Sequence, residues 1–153
     1  MKTILVPLTL DSQMLSVFEY AEPVAKEMDA CLLLLHVVKK QSYDNGTFSP
    51  QTDVHQRVTQ EARMILEHLA RQAITHGIRT KIMITDGKPA DSILSVAKSA
   101  KVNIILMGRP CGNKNCTSEM VLSTATCPVL TWRGEEHSTS ILSATRGSSL
   151  AVA

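Results

Sequence analysis

Runs of apolar residues alternate along this chain with segments in which apolar residues recur at helical spacing. Five runs are short and nearly continuous, as expected for strands that are buried on both faces of a sheet. They are Thr3–Leu8, Cys31–Val38, Arg79–Gly87, Val102–Gly108 and Pro128–Trp132. The segment between each two consecutive runs is long enough for one helix. The pattern therefore predicts strands and helices that alternate along the chain.

The intervening segments carry helix signals of different strength. Asp11 or Ser12 can cap a first helix, and Pro89 fits the first turn of a third helix over residues 88–101. A short fourth helix is predicted over residues 117–125. The apolar face of the first helix would consist of Leu15, Phe18, Ala21, Val24 and Ala25.

A long amphipathic second helix is predicted from Val54 to His76, with Gly77 as its stop signal. Its apolar positions are Val58, Ala62, Ile65, Leu66, Leu69 and Ala73. The preceding segment, Lys39–Asp53, is rich in polar residues, Gly and Pro. It is therefore predicted to be the longest loop and a mobile lid.

This alternation predicts a single three-layer α/β/α domain over residues 1–133, flavodoxin-like or Rossmann-like, with right-handed crossovers. The expected sheet has five parallel strands in the order 3-2-1-4-5. Ligands of such sheets bind where the winding direction reverses, here between the first and fourth strands. Residues 134–153 are predicted to be an irregular tail, either loosely held or packed on a partner subunit.

Composition excludes several classes of partner. A net charge of +2 and an aromatic content of 3% provide neither the basic surface nor the stacking platforms of a nucleic-acid-binding protein. Pro7 and Asp11 interrupt the first apolar run, and the longest aliphatic run is far shorter than a membrane span. We therefore expect a cytoplasmic protein that binds neither nucleic acid nor membrane, with its four cysteines reduced.

Five sequence stretches, in this order along the chain, carry a family resemblance. They are "ILVPL", "LLLLHVV", "GKPADSIL", "NIILMG" and "CPVL". Together they resemble the universal stress protein (UspA) family over about residues 1–133. The resemblance implies a flavodoxin-like domain and a homodimer joined through the last strands, here Val129, Leu130, Thr131 and Trp132. Members of this family fall into ATP-binding and non-binding groups.

The nucleotide loop departs from the pattern of the ATP-binding members, which is Gly-x-x-Gly, nine residues, then Gly-Ser or Gly-Thr. Gly108 matches the first glycine, but Cys111 stands at the second, and Asn115-Cys116 stands at the final pair. The loop is also shorter, and Thr9 replaces the Asp of the first turn. Phosphate loops need glycine because backbone amides must approach the oxygens closely. The departures therefore predict weak or absent ATP binding.

If any nucleotide binds, the resemblance and the topology imply a crevice at the carboxyl ends of the strands. Its candidate residues are Pro7, Leu8, Thr9, Val37, Met107, Gly108, Arg109, Gly112, Cys116, Thr117 and Ser118. Arg109 and Lys114 could supply positive charge, and the free amides before Thr117 form a weak anion site. ATP and AMP are the candidate ligands.

Other candidate chemistry is sparse. Cys111 and Cys116 could be ordinary loop thiols, a redox pair or part of a metal site, but zinc-like spacing is missing. His36 is expected in the crevice wall, whereas the three histidines on or beside the long helix are expected to face solvent: His55, His68 and His76. Asp86 and Asp91 are interpreted as turn and cap residues. Four methionines are expected to fill the core: Met64, Met83, Met107 and Met120.

The sequence therefore predicts a non-catalytic, homodimeric stress-response module that acts through protein contacts, with no catalytic or metal site. The alternative is an ATP or AMP sensor that uses the remodelled loop. A small redox or hydrolytic enzyme based on Cys111 or Cys116 is a third hypothesis.

Overall fold

The computed structural model describes residues 1–11, 13–39, 50–108 and 116–132, with the backbone alone for residues 50–53. The strands are β1 (Lys2–Pro7), β2 (Ala30–Lys39), β3 (Thr80–Gly87), β4 (Ile104–Met107) and β5 (Val129–Thr131). The helices are α1 (Met14–Met28), α2 (Pro50–Thr75), α3 (Pro89–Ser99) and α4 (Thr117–Thr124). The five strands form one parallel sheet in the order β3-β2-β1-β4-β5, which confirms the predicted fold.

Two apolar clusters cover the two faces of the sheet. Phe18 of α1 and Leu66 of α2 pack with Leu34 on one face. On the other face, Ile93 of α3 and Val121 of α4 pack with buried residues of β1, β2 and β4. Burying one such side chain stabilises the fold by about 1.5–3 kcal/mol. Among the described residues, no helix combines the length and apolarity that a membrane span requires.

Two predicted boundaries are wrong near helix starts. Helix α2 begins at Pro50, so residues 50–53 are helical and not part of the predicted Lys39–Asp53 loop. Proline is favoured at the first helical position because its missing N–H would have no partner there. The N-cap of α1 is Gln13, not Asp11, and it makes no side-chain cap hydrogen bond. Lys39 is the last residue of β2 and not part of a loop. Residues 40–49 of the predicted lid, the cap candidate Ser12 and the tail 134–153 lie outside the described residues.

The end of α2 agrees with prediction. Gly77 has a φ of +86°, and the N–H of Ile78 donates to the carbonyl of Ala73. This left-handed position after the helix is where glycine is free of the strain that a Cβ would cause.

The methionine prediction is mostly wrong. Met107 is 4% exposed, whereas Met64, Met83 and Met120 are 64%, 36% and 41% exposed. Met64 and Met120 occupy exposed positions of α2 and α4, and Met83 alternates along the edge strand β3 with Ile82 and Ile84, which take the positions facing the core.

An aromatic pair ties the end of β5 to α1. The ring of Trp132 stacks on Tyr20 with centroids 4.3 Å apart, and its Nε1–H donates to Ser16 Oγ at 2.6 Å. Burial raises the pKa of the Tyr20 phenol above its ordinary value, so the ring stays neutral well into alkaline pH. The stack covers the outer part of the sheet on the α1 face.

Candidate functional site

The turn after β1 is organised by one carboxylate. Thr9 Oγ1 donates to Asp11 Oδ2 at 2.8 Å, and the backbone N–H of Gln13 donates to Asp11 Oδ1 at 2.9 Å. Both Asp11 oxygens are thus used to hold the turn into α1, which explains why Asp11 precedes the helix without being its N-cap. The hydroxyl of Thr9 is committed to this turn.

The neighbouring strand end is fixed by a histidine. The Leu8 N–H donates to the Leu35 carbonyl at 2.8 Å, and His36 Nδ1 lies 2.8 Å from the Leu8 carbonyl oxygen. Because a carbonyl can only accept, Nδ1 carries a proton, and Nε2 is the acceptor of the neutral ring. The predicted hydrogen bond of His36 near the carboxyl end of its strand is confirmed, while its place in a ligand crevice stays a prediction.

Gly108 follows β4 at a point where α1 approaches closely. A Cβ built on Gly108 would lie 3.3 Å from both Gln13 Oε1 and Val17 Cγ2. The φ of Gly108 is not in the left-handed region, so what favours glycine here is the close approach of the helix. The first glycine of the loop therefore has a packing role beside its candidate role in binding a ligand.

Helix α4 begins at the same end of the sheet. Cys116 is its N-cap and makes no side-chain cap hydrogen bond, while Thr117 and Ser118 are half-buried in the first turn. Cys116 is disulfide-bonded, unlike the reduced state predicted for all four cysteines. A helix N-terminus favours the thiolate, the form that enters disulfide exchange. Cys31 and Cys127 are free, and burial raises the pKa of the Cys127 thiol.

The topology brings most of the described candidates to one edge. Pro7, Leu8 and Thr9 end β1, and Met107 and Gly108 end the adjacent β4, which is the predicted reversal of winding. Val37 lies on the α3 side of the neighbouring β2, half-buried. Arg109, Gly112, Cys111 and Lys114 lie outside the described residues.

Two carboxylates lie near the described part of this crevice. Asp11 lies in the β1 turn, and Glu119 lies in the first turn of α4. Among the described candidate residues themselves, none carries a formal charge at neutral pH. Glu119 stabilises the positive end of the α4 dipole, the same feature that would attract a phosphate.

Two histidines of α2 and the adjoining turn make contacts that the sequence did not indicate. His55 Nε2 lies 3.3 Å from Asp86 Oδ1, and His76 Nδ1 lies 2.7 Å from Glu22 Oε2. Asp86 is thus a strand residue paired with a helix, not a turn residue. The partners are 31 and 54 residues apart in sequence, so only the tertiary fold joins them. Within the described ranges, no group of three or more potential metal ligands occurs.

Comparison with known proteins agrees with the fold. The profile of the universal stress protein family matches residues 1–133. The universal stress protein YxiE of Bacillus subtilis is 31% identical over 121 residues, covering 70% of this chain and 82% of that protein.

Two solved structures show the same fold. The universal stress protein UspA from Lactobacillus plantarum has a TM-score of 0.77 at 22% identity, covering 86% of this chain and 97% of its own. A universal stress protein family protein from Arabidopsis thaliana, solved with AMP bound, has a TM-score of 0.66 at 18% identity, covering 89% of this chain and 94% of its own. From the family profile and the identity to YxiE, this chain belongs to the universal stress protein family.

Proposed function

We propose that this universal stress protein is a non-catalytic, homodimeric regulatory module of the cytoplasm that binds ATP weakly or not at all. The observation that carries the proposal is the pair of carboxylates beside the described crevice residues, Asp11 in the turn after β1 and Glu119 in the first turn of α4. A triphosphate would bring a strongly negative group beside them, which Coulomb repulsion disfavours unless a metal ion intervenes.

The turn after β1 supports this proposal. In ATP-binding members, the position of Thr9 carries a carboxylate that contacts the nucleotide. Here the Thr9 hydroxyl is occupied by Asp11, whose carboxylate is itself occupied by Thr9 and the Gln13 amide. The Thr9 proton is thus already donated to Asp11, and a carboxylate can only accept, so in this arrangement neither group donates a hydrogen bond to a phosphate.

We predict that 1 mM ATP raises the free energy of unfolding by less than about 1 kcal/mol. A ligand that binds only the folded state stabilises it by RT ln(1 + [L]/Kd), so a millimolar dissociation constant gives a fraction of 1 kcal/mol, while a micromolar one gives about 4 kcal/mol. The measurement is thermal unfolding with ATP, with AMP and without ligand, each with and without Mg²⁺. Nucleotide retained through purification, or a shift of several degrees with ATP, would contradict the proposal.

AMP sensing is the second candidate function. The observation that favours it is the start of α4, where the N-cap residue Cys116 makes no side-chain hydrogen bond to the first-turn amides. These amides can serve a single phosphate without the missing outer part of the loop, and the Arabidopsis relative is described with AMP bound. A thermal shift with AMP but not with ATP would select this function over the first.

The proposed dimer uses β5. Apolar side chains lie on both faces of this edge strand: Val129 packs on the α4 side, and Leu130, with Trp132 just after the strand, packs half-buried on the α1 side. The opposite edge strand, β3, exposes Lys81 and Asp86, and such charges oppose edge-to-edge pairing. Pairing of β5 with a second copy would satisfy its outer backbone groups and cover Leu130 and Trp132.

We predict a dimer in light scattering at micromolar concentration, and a monomer for Leu130→Arg with an unchanged circular dichroism spectrum. The reason is that an arginine in the pairing strand would bury a charge in the interface. Met64→Arg is the matched control, since Met64 is 64% exposed on α2 at the other side of the molecule, and it should remain dimeric. A monomeric parent chain, or a dimeric Leu130→Arg, would contradict the β5 interface.

A further inference from the structure

A second candidate site lies between the first half of α2 and the end of the edge strand β3, across β2 from the β1–β4 crevice. It is an open cleft of about 410 Å³, in the usual size range of small-molecule sites. The helix contributes five polar side chains, and the strand contributes two residues. The lining residues are His55, Gln56, Thr59, Gln60, Arg63, Ile84 and Asp86.

The face of α2 that packs on the sheet changes from apolar to polar residues in this cleft. Along α2, the buried residues Ala62, Leu66, Leu69 and Ala73 follow a spacing of 4, 3 and 4, and they pack on the sheet. Extending the same spacing toward the N-terminus gives Thr59 and His55. Core packing alone would favour apolar residues at these positions.

The facing strand changes in the same place. Ile82 and Ile84 are partly buried against the cluster on the α2 face, and Asp86 is the next residue on that face of β3. Asp86 Oδ1 lies 3.3 Å from His55 Nε2. Helix and strand therefore both present polar groups to the cleft, while Ile84 provides an apolar wall.

Two groups in the cleft are available to a ligand. Thr59 Oγ1 is buried and makes no hydrogen bond, whereas buried hydroxyls are nearly always bonded. Arg63 is exposed to solvent, and neither ion pair among the described residues, His55–Asp86 and His76–Glu22, includes its guanidinium. A guanidinium binds carboxylate or phosphate through two parallel hydrogen bonds.

We propose that this cleft binds a small hydroxylated organic anion, such as a sugar phosphate or a sugar acid. Arg63 binds the oxyanion, and Thr59 Oγ1 and the two glutamines hydrogen-bond to hydroxyl groups. The second oxygen of Asp86 accepts from a further hydroxyl near His55. Arg63 and His55 are eight residues apart on the helix, about 12 Å along its axis, so the cleft accommodates an elongated molecule of five or six carbons.

The test is isothermal titration calorimetry with ribose 5-phosphate, gluconate and inorganic phosphate on the full chain. We expect saturable binding of ribose 5-phosphate, gluconate or both with a dissociation constant below about 1 mM, and at least tenfold weaker binding of inorganic phosphate, since it lacks the hydroxylated carbon chain. Preference for ribose 5-phosphate identifies a phosphate as the anionic group, and preference for gluconate identifies a carboxylate.

Substitutions on α2 test whether the ligand binds in this cleft. Arg63→Gln should weaken binding at least tenfold and Thr59→Val severalfold. Arg57→Gln makes the same charge change on the same helix outside the cleft lining, and it should leave binding within twofold. In NMR spectra, the His55 ring protons should shift on titration, while those of His68, which is exposed outside the cleft lining, should not.

Three results would overturn the proposal. They are no binding of either hydroxylated anion at 10 mM, equal binding of inorganic phosphate, and unchanged binding by Arg63→Gln. The last result would also place ribose 5-phosphate elsewhere, for example in the nucleotide crevice, since it shares the ribose and phosphate of AMP. The proposal does not depend on nucleotide binding, because Arg63→Gln leaves every candidate residue of that crevice intact.

Discussion

Phe18→Ala is expected to lower the free energy of unfolding by about 3–5 kcal/mol. Phe18 lies on α1 and is 0% exposed in the cluster between the sheet and the helices α1 and α2. Removing its ring loses the transfer free energy of a buried aromatic side chain and leaves a cavity that rigid strands cannot close. Denaturant unfolding at one fixed protein concentration, followed by fluorescence of the single tryptophan, measures the change.

Leu15→Ala is the matched control on the same helix. Leu15 is 55% exposed, so its truncation should change the free energy of unfolding by no more than about 0.5 kcal/mol. A loss below about 1 kcal/mol for Phe18→Ala, or equal losses for both variants, would mean that α1 does not pack on the sheet as described.

The sheet could be predicted because its signal is local and strong. Continuous aliphatic runs such as residues 31–38 indicate strands buried on both faces, and the alternation with helices leaves few topologies. Helix starts were harder because several polar residues compete for the cap. Around Asp11, the choice depends on the hydrogen bond from Thr9, which stabilises a turn in place of a cap.

Burial within helices was only partly predictable. The spacing of residues 62, 66, 69 and 73 identified the buried face of α2. It could not show that Met64 is 64% exposed, because a methionine is apolar enough for a core and flexible enough for a surface. Whether a given methionine is buried depends on its position relative to the sheet and the helices that cover it.

The candidate crevice was located through the family pattern and the topology, both of which are properties of the sequence. The hydrogen bonds inside the crevice could not be predicted in the same way. The bond from Thr9 to Asp11 forms only because the backbone turn brings the two side chains together. The α2–β3 cleft was missed entirely. The sequence does show two polar residues, His55 and Thr59, at positions that continue the apolar face of α2. That they line a cleft becomes visible only when the fold places Asp86, 31 residues from His55 in the sequence, opposite them.

Replacing the segment between Gly108 and Ser118 by the full-length Gly-x-x-Gly, nine-residue, Gly-Ser segment of ATP-binding relatives is expected to create ATP binding. The graft supplies backbone amides without side chains in the way, the feature that holds phosphates in such loops. We expect the dissociation constant to fall at least about 100-fold from the millimolar range, which corresponds to about 2.7 kcal/mol. Calorimetry with ATP and Mg²⁺ measures it, and a graft of equal length with the glycines changed to alanine is the control.

Thr9→Asp alone should not create ATP binding, although it restores the carboxylate of the family pattern. In this chain the new carboxylate would lose the hydrogen bond that Thr9 donates to Asp11 and would lie beside that second carboxylate. Two like charges so close together disfavour the turn and repel an incoming phosphate. Only with the grafted loop in place should Thr9→Asp add affinity, and Thr9→Asn in the same background separates the effect of charge from that of shape. If Thr9→Asp alone gave micromolar binding, the turn after β1 and not the loop would be the reason that ATP binds poorly.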